Sequence, residues 1–307
     1  MDKILKGVVT KSTGSWITVR SEDGTRMECR LKGQFRIRGL RSTNPVAIGD
    51  RVEFEKQPDE NTGVITHIRE RENYIVRKSI NLSWTTHILA ANLDHAFLIV
   101  TLARPKTSTG FIDRFLVTAT GYYIPASIIF NKIDLYDEAL SSYEGKLKTI
   151  YEQAGYPCYS VSALRGDHVD RISNLLKDKT SLFSGHSGAG KSALITAIQP
   201  DLKLKTGMIS EMHLKGKHTT TFAEMFELNN GGFIIDTPGI REFGLIDFKK
   251  NEIPRCFPEM ERFLPQCKYK NCTHTHEPGC AVKDALETGE VSRMRYNSYL
   301  SILNDKP

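Results

Sequence analysis

The string Gly185-His186-Ser187-Gly188-Ala189-Gly190-Lys191-Ser192 fits G-x-x-x-x-G-K-[ST] at every fixed position. It constrains the fold more than any other feature, because such a loop works only between a strand and a helix. The apolar run Ser181-Leu182-Phe183 comes before it, and Ala193-Leu194-Ile195-Thr196-Ala197-Ile198 follows with helical character. Glycines let backbone N–H groups wrap phosphates, and the helix N-terminus adds the positive end of its dipole. Ser184 then opens a phosphate loop, Lys191 reaches the β- and γ-phosphates as the catalytic cation, and the Ser192 hydroxyl ligates Mg²⁺. The alternative is a chance Gly-rich turn, which the flanking strand and helix disfavour.

Asn131-Lys132-Ile133-Asp134 stands directly after a second apolar run, Ser127-Ile128-Ile129-Phe130. At the C-terminal end of a parallel strand, such a loop reads a nucleotide base. The Asp134 carboxylate can accept hydrogen bonds from N1–H and the 2-amino group of guanine, a donor pair that adenine lacks. Asn131 would brace the loops, and the Lys132 stem would cover the ring. Alone the tetrapeptide is weak; beside a phosphate loop it selects GTP. Ser160-Val161-Ser162-Ala163 offers a second base contact through Ser162 and Ala163. Asp236-Thr237-Pro238-Gly239 is a D-x-x-G pattern after the run Phe233-Ile234-Ile235, with Asp236 near Mg²⁺ and the Gly239 amide near the γ-phosphate. One threonine of Thr219-Thr220-Thr221 can close over Mg²⁺ when the γ-phosphate is present. Thr220 stands for that ligand here, and spacing does not choose among the three.

Motif order then decides the topology. In an ordinary Ras-like GTPase the phosphate loop comes first; here the base-reading loops precede it and the threonines and D-x-x-G follow. The same site forms if the chain ends are moved, since domain termini often lie close together. The sequence therefore predicts a circularly permuted α/β P-loop GTPase domain over residues 73–245. Ile240 stands where a water-positioning Gln would follow D-x-x-G, so slow intrinsic hydrolysis, completed by a partner or by another residue, is expected. His218 is a candidate for positioning water; a surface histidine is the equal alternative.

The flanks differ in pattern. Residues 1–72 read as short strands without helices: Trp16-Ile17-Thr18-Val19, alternating Met27, Cys29 and Leu31, the stretches 48–54 and 63–68, and an Asp23-Gly24 turn. This predicts a small β-barrel. Residues 246–307 hold Cys267, Cys272, His274 and Cys280 within a short span, then a helix from about Lys283. Three thiolates and an imidazole suit one structural Zn²⁺ in a small helical domain, with His276 as a competing ligand. Arg30, Lys32, Arg36, Arg38 and Arg41 surround Phe35 in the barrel region, and Arg293 and Arg295 lie near Tyr296 and Tyr299. Each set reads as an RNA-binding surface or as a solvated charged face. The net charge of +6 is compatible with a nucleic-acid partner. Apolar runs are strand-sized and Met1–Lys6 lacks a secretory core, so a cytoplasmic protein without membrane contact is expected. Nothing demands more than a monomer.

Taken together, the chain resembles the RsgA (YjeQ) family of bacterial GTPases that depend on the small ribosomal subunit. The strings that carry the likeness are the phosphate loop, Lys217-His218-Thr219-Thr220-Thr221, Asp236-Thr237-Pro238-Gly239-Ile240 and Glu277-Pro278-Gly279-Cys280. Ala189 replaces the valine more often seen in that loop. The resemblance implies an OB-fold for the N-terminal domain and a zinc site of Cys267, Cys272, His274 and Cys280. It implies a late role in maturing the small subunit, contact with its rRNA, and GTP hydrolysis to GDP stimulated by the subunit. It also carries the family's proposed catalytic histidine onto His218.

Overall fold

The computed structural model describes residues 4–13, 15–32, 45–57, 60–78, 86–202, 224–236 and 248–304. Five strands open the chain: β1 (Leu5–Thr13), β2 (Trp16–Ser21), β3 (Arg26–Leu31), β4 (Arg51–Lys56) and β5 (Thr62–Ile68). A hairpin of β6 (Tyr74–Lys78) and β7 (Thr86–Ala91) follows. Strands and helices then alternate: β8 (His95–Val100), α1 (Thr109–Gly121), β9 (Ala126–Phe130), α2 (Glu138–Gln153), β10 (Cys158–Ser160), α3 (Val169–Leu175), β11 (Thr180–Ser184), α4 (Lys191–Ile198), β12 (Glu224–Glu227) and β13 (Phe233–Asp236). Three helices end it: the single turn α5 (Pro258–Glu261), α6 (Ala281–Glu287) and α7 (Arg293–Asn304). Two compact units result, one of residues 1–96, 169–184 and 191–242, the other of 97–168, 185–190 and 243–307.

In the first unit, the five N-terminal strands pair in the order β1-β2-β3-β5-β4, and β4 closes back on β1 with Leu5 opposite Phe54. The β3–β5 pairing is parallel and the others are antiparallel. This is the strand order of an OB-fold barrel. Alternation explains the closure: Ile17 and Val19 of β2 join Val9, Cys29, Val52, Phe54 and Ile65 in one buried cluster. Each such side chain contributes roughly 1.5–3 kcal/mol when fully buried. The turn from β2 to β3 is made by Asp23, whose carboxylate accepts from the Thr25 amide at 2.9 Å, and by Gly24 at φ +87°.

The stretch 48–54 divides: only β4 is strand, while Ile48 makes an isolated bridge to Ala90 of β7. Gly49 allows this approach, since a Cβ there would lie 2.1 Å from the Ala91 carbonyl oxygen. Sequence periodicity gave no sign of the β6–β7 hairpin. Elsewhere in this unit β11 and β13 are parallel, with Leu182 opposite Ile235, but β12 runs antiparallel to β13. Strand β12 also meets β1 of the barrel, Glu224 opposite Lys11. The Arg20 guanidinium grips Glu227 nearby, at 2.6 and 3.0 Å.

In the second unit, β9 and β10 are parallel neighbours, Ile128 opposite Cys158, and every residue of β9 is buried. Two helices cover them, each started by a side-chain cap: Ser108 accepts from the Phe111 amide and Asp137 from the Leu140 amide. The C-terminal segment packs Phe257, Met260, Val282, Tyr296 and Tyr299 with Val117 of α1 into one cluster. The single helix expected from Lys283 is two helices, because the chain turns at Gly289 with φ +84°, a conformation glycine adopts freely. Among the described residues, no helix is long and apolar enough to cross a membrane.

Candidate nucleotide site and metal cluster

In the second unit the loops that carry Asn131–Asp134 and Ser162–Ala163 meet the glycine-rich string at the C-terminal ends of the strands, where α/β sheets bind ligands. The Asn131 amide follows β9 and donates to the Val100 carbonyl at 2.8 Å. Its buried side chain donates to the Ala189 carbonyl at 3.0 Å and accepts from the Ala163 amide at 3.1 Å. One residue thus ties three loops. Lys132 adopts a left-handed conformation, and its Nζ donates to the carbonyls of Gly188 at 2.7 Å and Arg104 at 2.8 Å. Asp134 accepts a short hydrogen bond from the buried Ser162 hydroxyl, which itself accepts from the Arg165 amide at 3.1 Å. Ile133 opens a 3-10 turn between them.

The phosphate loop is built by close approach. Gly185 and Gly190 have φ of +151° and +93°, and a Cβ would lie 2.3 Å from the Ile99 carbonyl oxygen at the first and 2.3 Å from the Asn131 side-chain Nδ2 at the second. Ala189 is buried, while Ser187 and Gly188 are exposed. His186 stacks on Phe111 of α1, ring centroids 3.8 Å apart and planes at 30°. Sequence reasoning did not reach Phe111 or the Arg104 carbonyl, because neither lies in a motif.

In the first unit, Asp236 ends β13 opposite Phe183 of β11. Burial pushes the Lys191 ammonium below its usual range, against the opposing pull of Asp236. Ser192 is exposed in the first turn of α4. The Ser184 hydroxyl is buried with no hydrogen-bond partner among the described residues. His218, Thr219, Thr220, Thr221, Gly239 and Ile240 lie outside the described residues, as do Phe35, Arg36, Arg38 and Arg41. Of the barrel's basic set, Arg30 packs over the Trp16 ring at 4.1 Å.

Cys267, Cys272, His274 and Cys280 bring their donor atoms within 4.8 Å of one another, and all but Cys267 are buried. His274 Nδ1 lies 3.6 Å from the Cys267 sulfur and 3.4 Å from that of Cys280. A tetrahedral site with Zn–S bonds of about 2.3 Å has edges of roughly 3.8 Å, so this donor set fits such an ion. Burial pushes the Cys272 thiol up to about 12 and that of Cys280 upward as well. A bound divalent cation would reverse that by ligating the thiolates. His276 is exposed and pairs with the Thr275 hydroxyl, apart from the cluster. The loop is held by Tyr296 and Tyr299, whose hydroxyls donate to the His274 and Thr273 carbonyls at 2.6 Å each. Burial raises the Glu277 carboxyl, but hydrogen bonds from Thr273 and Thr275 outweigh it and hold the group well below the usual carboxylate range.

These contacts correct the reading of Arg293, Arg295, Tyr296 and Tyr299 as a surface set. Arg295 is fully buried, with its guanidinium on Glu259 at 2.7 and 3.2 Å and on Asp113 at 2.8 Å. Burial opposes its charge, yet Glu259 and Asp113 prevail and keep it protonated. Tyr296 and Tyr299 are buried too, and Arg293 alone is exposed. The carboxylate partners lie 36 and 182 residues away in the chain, so no local pattern announces them.

Comparison with known proteins agrees over the whole length. A family model described as RsgA GTPase matches residues 68–246, and one described as RsgA N-terminal domain matches residues 6–65. A relative from Bacteroides fragilis, named small ribosomal subunit biogenesis GTPase RsgA, is 54% identical over 98% of this chain and 97% of its own. One of the same name from Flavobacterium psychrophilum is 53% identical over 97% and 92%. The crystal structure of YjeQ from Thermotoga maritima matches with a TM-score of 0.80 and 34% identity, covering 99% of this chain and 100% of its own. YloQ, described as a circularly permuted GTPase, matches at 0.76 and 28%, covering 99% and 97%. Motif order and these likenesses define the class: the chain is a GTP hydrolase with circularly permuted motifs, an N-terminal OB barrel and a C-terminal cysteine–histidine cluster. It belongs to the RsgA family.

Proposed function

We propose that this chain binds the small ribosomal subunit through its rRNA, acts late in maturation of that subunit, and hydrolyses GTP faster when bound there. The names of the relatives support the ribosomal part. The nucleotide part rests on one observation: the Asn131 side chain joins the phosphate loop to the Ser-Ala loop, at 3.0 and 3.1 Å. Asp134, held by Ser162, then reads guanine, and residues 184–192 cradle the phosphates. Lys191 stabilises charge that develops between the β- and γ-phosphates. Ser192, Asp236 and Thr220 would hold Mg²⁺, whose charge would neutralise phosphate oxygens, and the Gly239 amide would serve the γ-phosphate. His218 positions the attacking water.

The proposed division of labour follows the sequence: residues 1–72 bind RNA, 73–245 bind and hydrolyse GTP, and 246–307 carry one structural Zn²⁺ on Cys267, Cys272, His274 and Cys280. The protein acts as a cytoplasmic monomer. The deciding experiment compares GTP hydrolysis by the protein alone, with small subunits, and with large subunits. Strong stimulation by small subunits only is expected. Equal rates in all three would leave the hydrolase and remove the ribosomal role.

A further inference from the structure

The phosphate loop carries one contact that its motif does not require. Between Gly185 and Gly188 the His186 ring is half-buried, and it lies against Phe111 at 3.8 Å. The His186 carbonyl in turn accepts from the Ala189 amide at 3.1 Å, so the ring sits on a residue that shapes the turn itself. Phe111 belongs to the first turn of α1, and Asp113 follows two residues later on the same rigid helix. Asp113 is fully buried and meets Arg295 of α7, which also holds Glu259 of α5. Ser298, one turn further along α7, adds a second hydrogen bond to Asp113. The Phe257 ring lies against the same guanidinium at 4.8 Å. Three helices therefore converge on one planar group, whose fork fixes orientation as well as distance. A shift of α7 against α1 would leave buried charges unpaired, so the helices move together or not at all.

We propose that Phe111 is a positioning residue for the phosphate loop, and that the Asp113–Arg295–Glu259 cluster sets it by fixing α1 against the C-terminal helices. Whatever binds the C-terminal helices thereby gains a handle on nucleotide release. The proposal rests on residues 185–192 being the nucleotide loop, which binding of a fluorescent GDP analogue by the unaltered full chain tests separately.

The test is the release rate of that analogue from Phe111→Leu, His186→Ala and the double variant, each first checked for an unchanged unfolding midpoint. Aromatic pairing of this kind predicts about threefold to tenfold faster release for Phe111→Leu. The same change in the His186→Ala background should add less than about twofold, because the partner ring is already gone. Phe111→Tyr keeps the ring and should keep the slow rate. For the cluster, Ser298→Ala removes one hydrogen bond while leaving the ion pairs, and so spares the fold that an Arg295 variant would destabilise. It should speed release about twofold to fivefold, and do so only while Phe111 is present. Equal acceleration by Phe111→Leu with and without His186, or none in either, overturns the stack. A Ser298→Ala effect that is absent, or independent of Phe111, overturns the link to the C-terminal helices.

Discussion

Asp134 and Arg295 show how differently two charged residues can be set. Asp134 is half-buried, and the Ser162 hydroxyl orients its carboxylate while leaving it acceptor capacity. Asp134→Asn should weaken GTP binding by about tenfold to a hundredfold, the worth of hydrogen bonds to a charged acceptor. Titration with a fluorescent guanine nucleotide checks this, and unchanged preference for GTP over ATP would remove the base-reading role. Arg295 is buried with both its carboxylates. Arg295→Met leaves them uncompensated and should cost about 3–5 kcal/mol in urea unfolding. His95 gives a pH signature. Burial, helped by Lys179, lowers its pKa to about 4, against 6.5 for the free side chain. The unfolded chain then takes up a proton below pH 6.5 that the folded chain refuses until about pH 4. Its contribution is complete above pH 6.5 and is lost as pH falls towards 4. His95→Gln should flatten the stability profile in that window, read by urea midpoints.

At the scale of elements, the joint between barrel and α/β sheet is made by β1, β12 and the Arg20–Glu227 pair. That pair keeps 26% and 35% of its side-chain surface in water. Glu227→Gln should therefore change the unfolding free energy by less than about 1 kcal/mol, and a larger loss in denaturant titration would show that the pair is better shielded than its exposure implies. Strands with two buried faces and barrel strands with period-two alternation were readable in the sequence, because both patterns are local. So were the loops that carry Asn131, Asp134 and Gly185. The β6–β7 hairpin was not, since its pairs, Ile75 with Ala90 and Val76 with Ile88, are twelve or more residues apart, beyond the reach of a two-residue turn signal. The break at Gly289 escaped for a related reason: Val291 is needed inside the C-terminal cluster, and that need overrides helical spacing. Arg295 misled because a basic residue beside tyrosines reads as surface until its carboxylates are found.

Across the whole molecule, the cysteine–histidine cluster lies within the C-terminal core, where a bound divalent cation would cross-link it. Strong chelation should unfold the C-terminal helices, read as lost helical signal and an earlier urea transition; an unchanged transition would show that Tyr296, Tyr299 and Glu277 suffice alone. The meeting of β1 with β12 has a different consequence, one of timing. Lys11 emerges early in synthesis and Glu224 more than two hundred residues later, as do Arg20 and Glu227. The barrel's own strands are complete by Ile68, so it can close while most of the chain is still unmade. Until β12 arrives, the Lys11 end of β1, beyond the pairing of Leu5–Val8 with β4, is an unpaired edge on a nascent polypeptide, open to any other strand it meets.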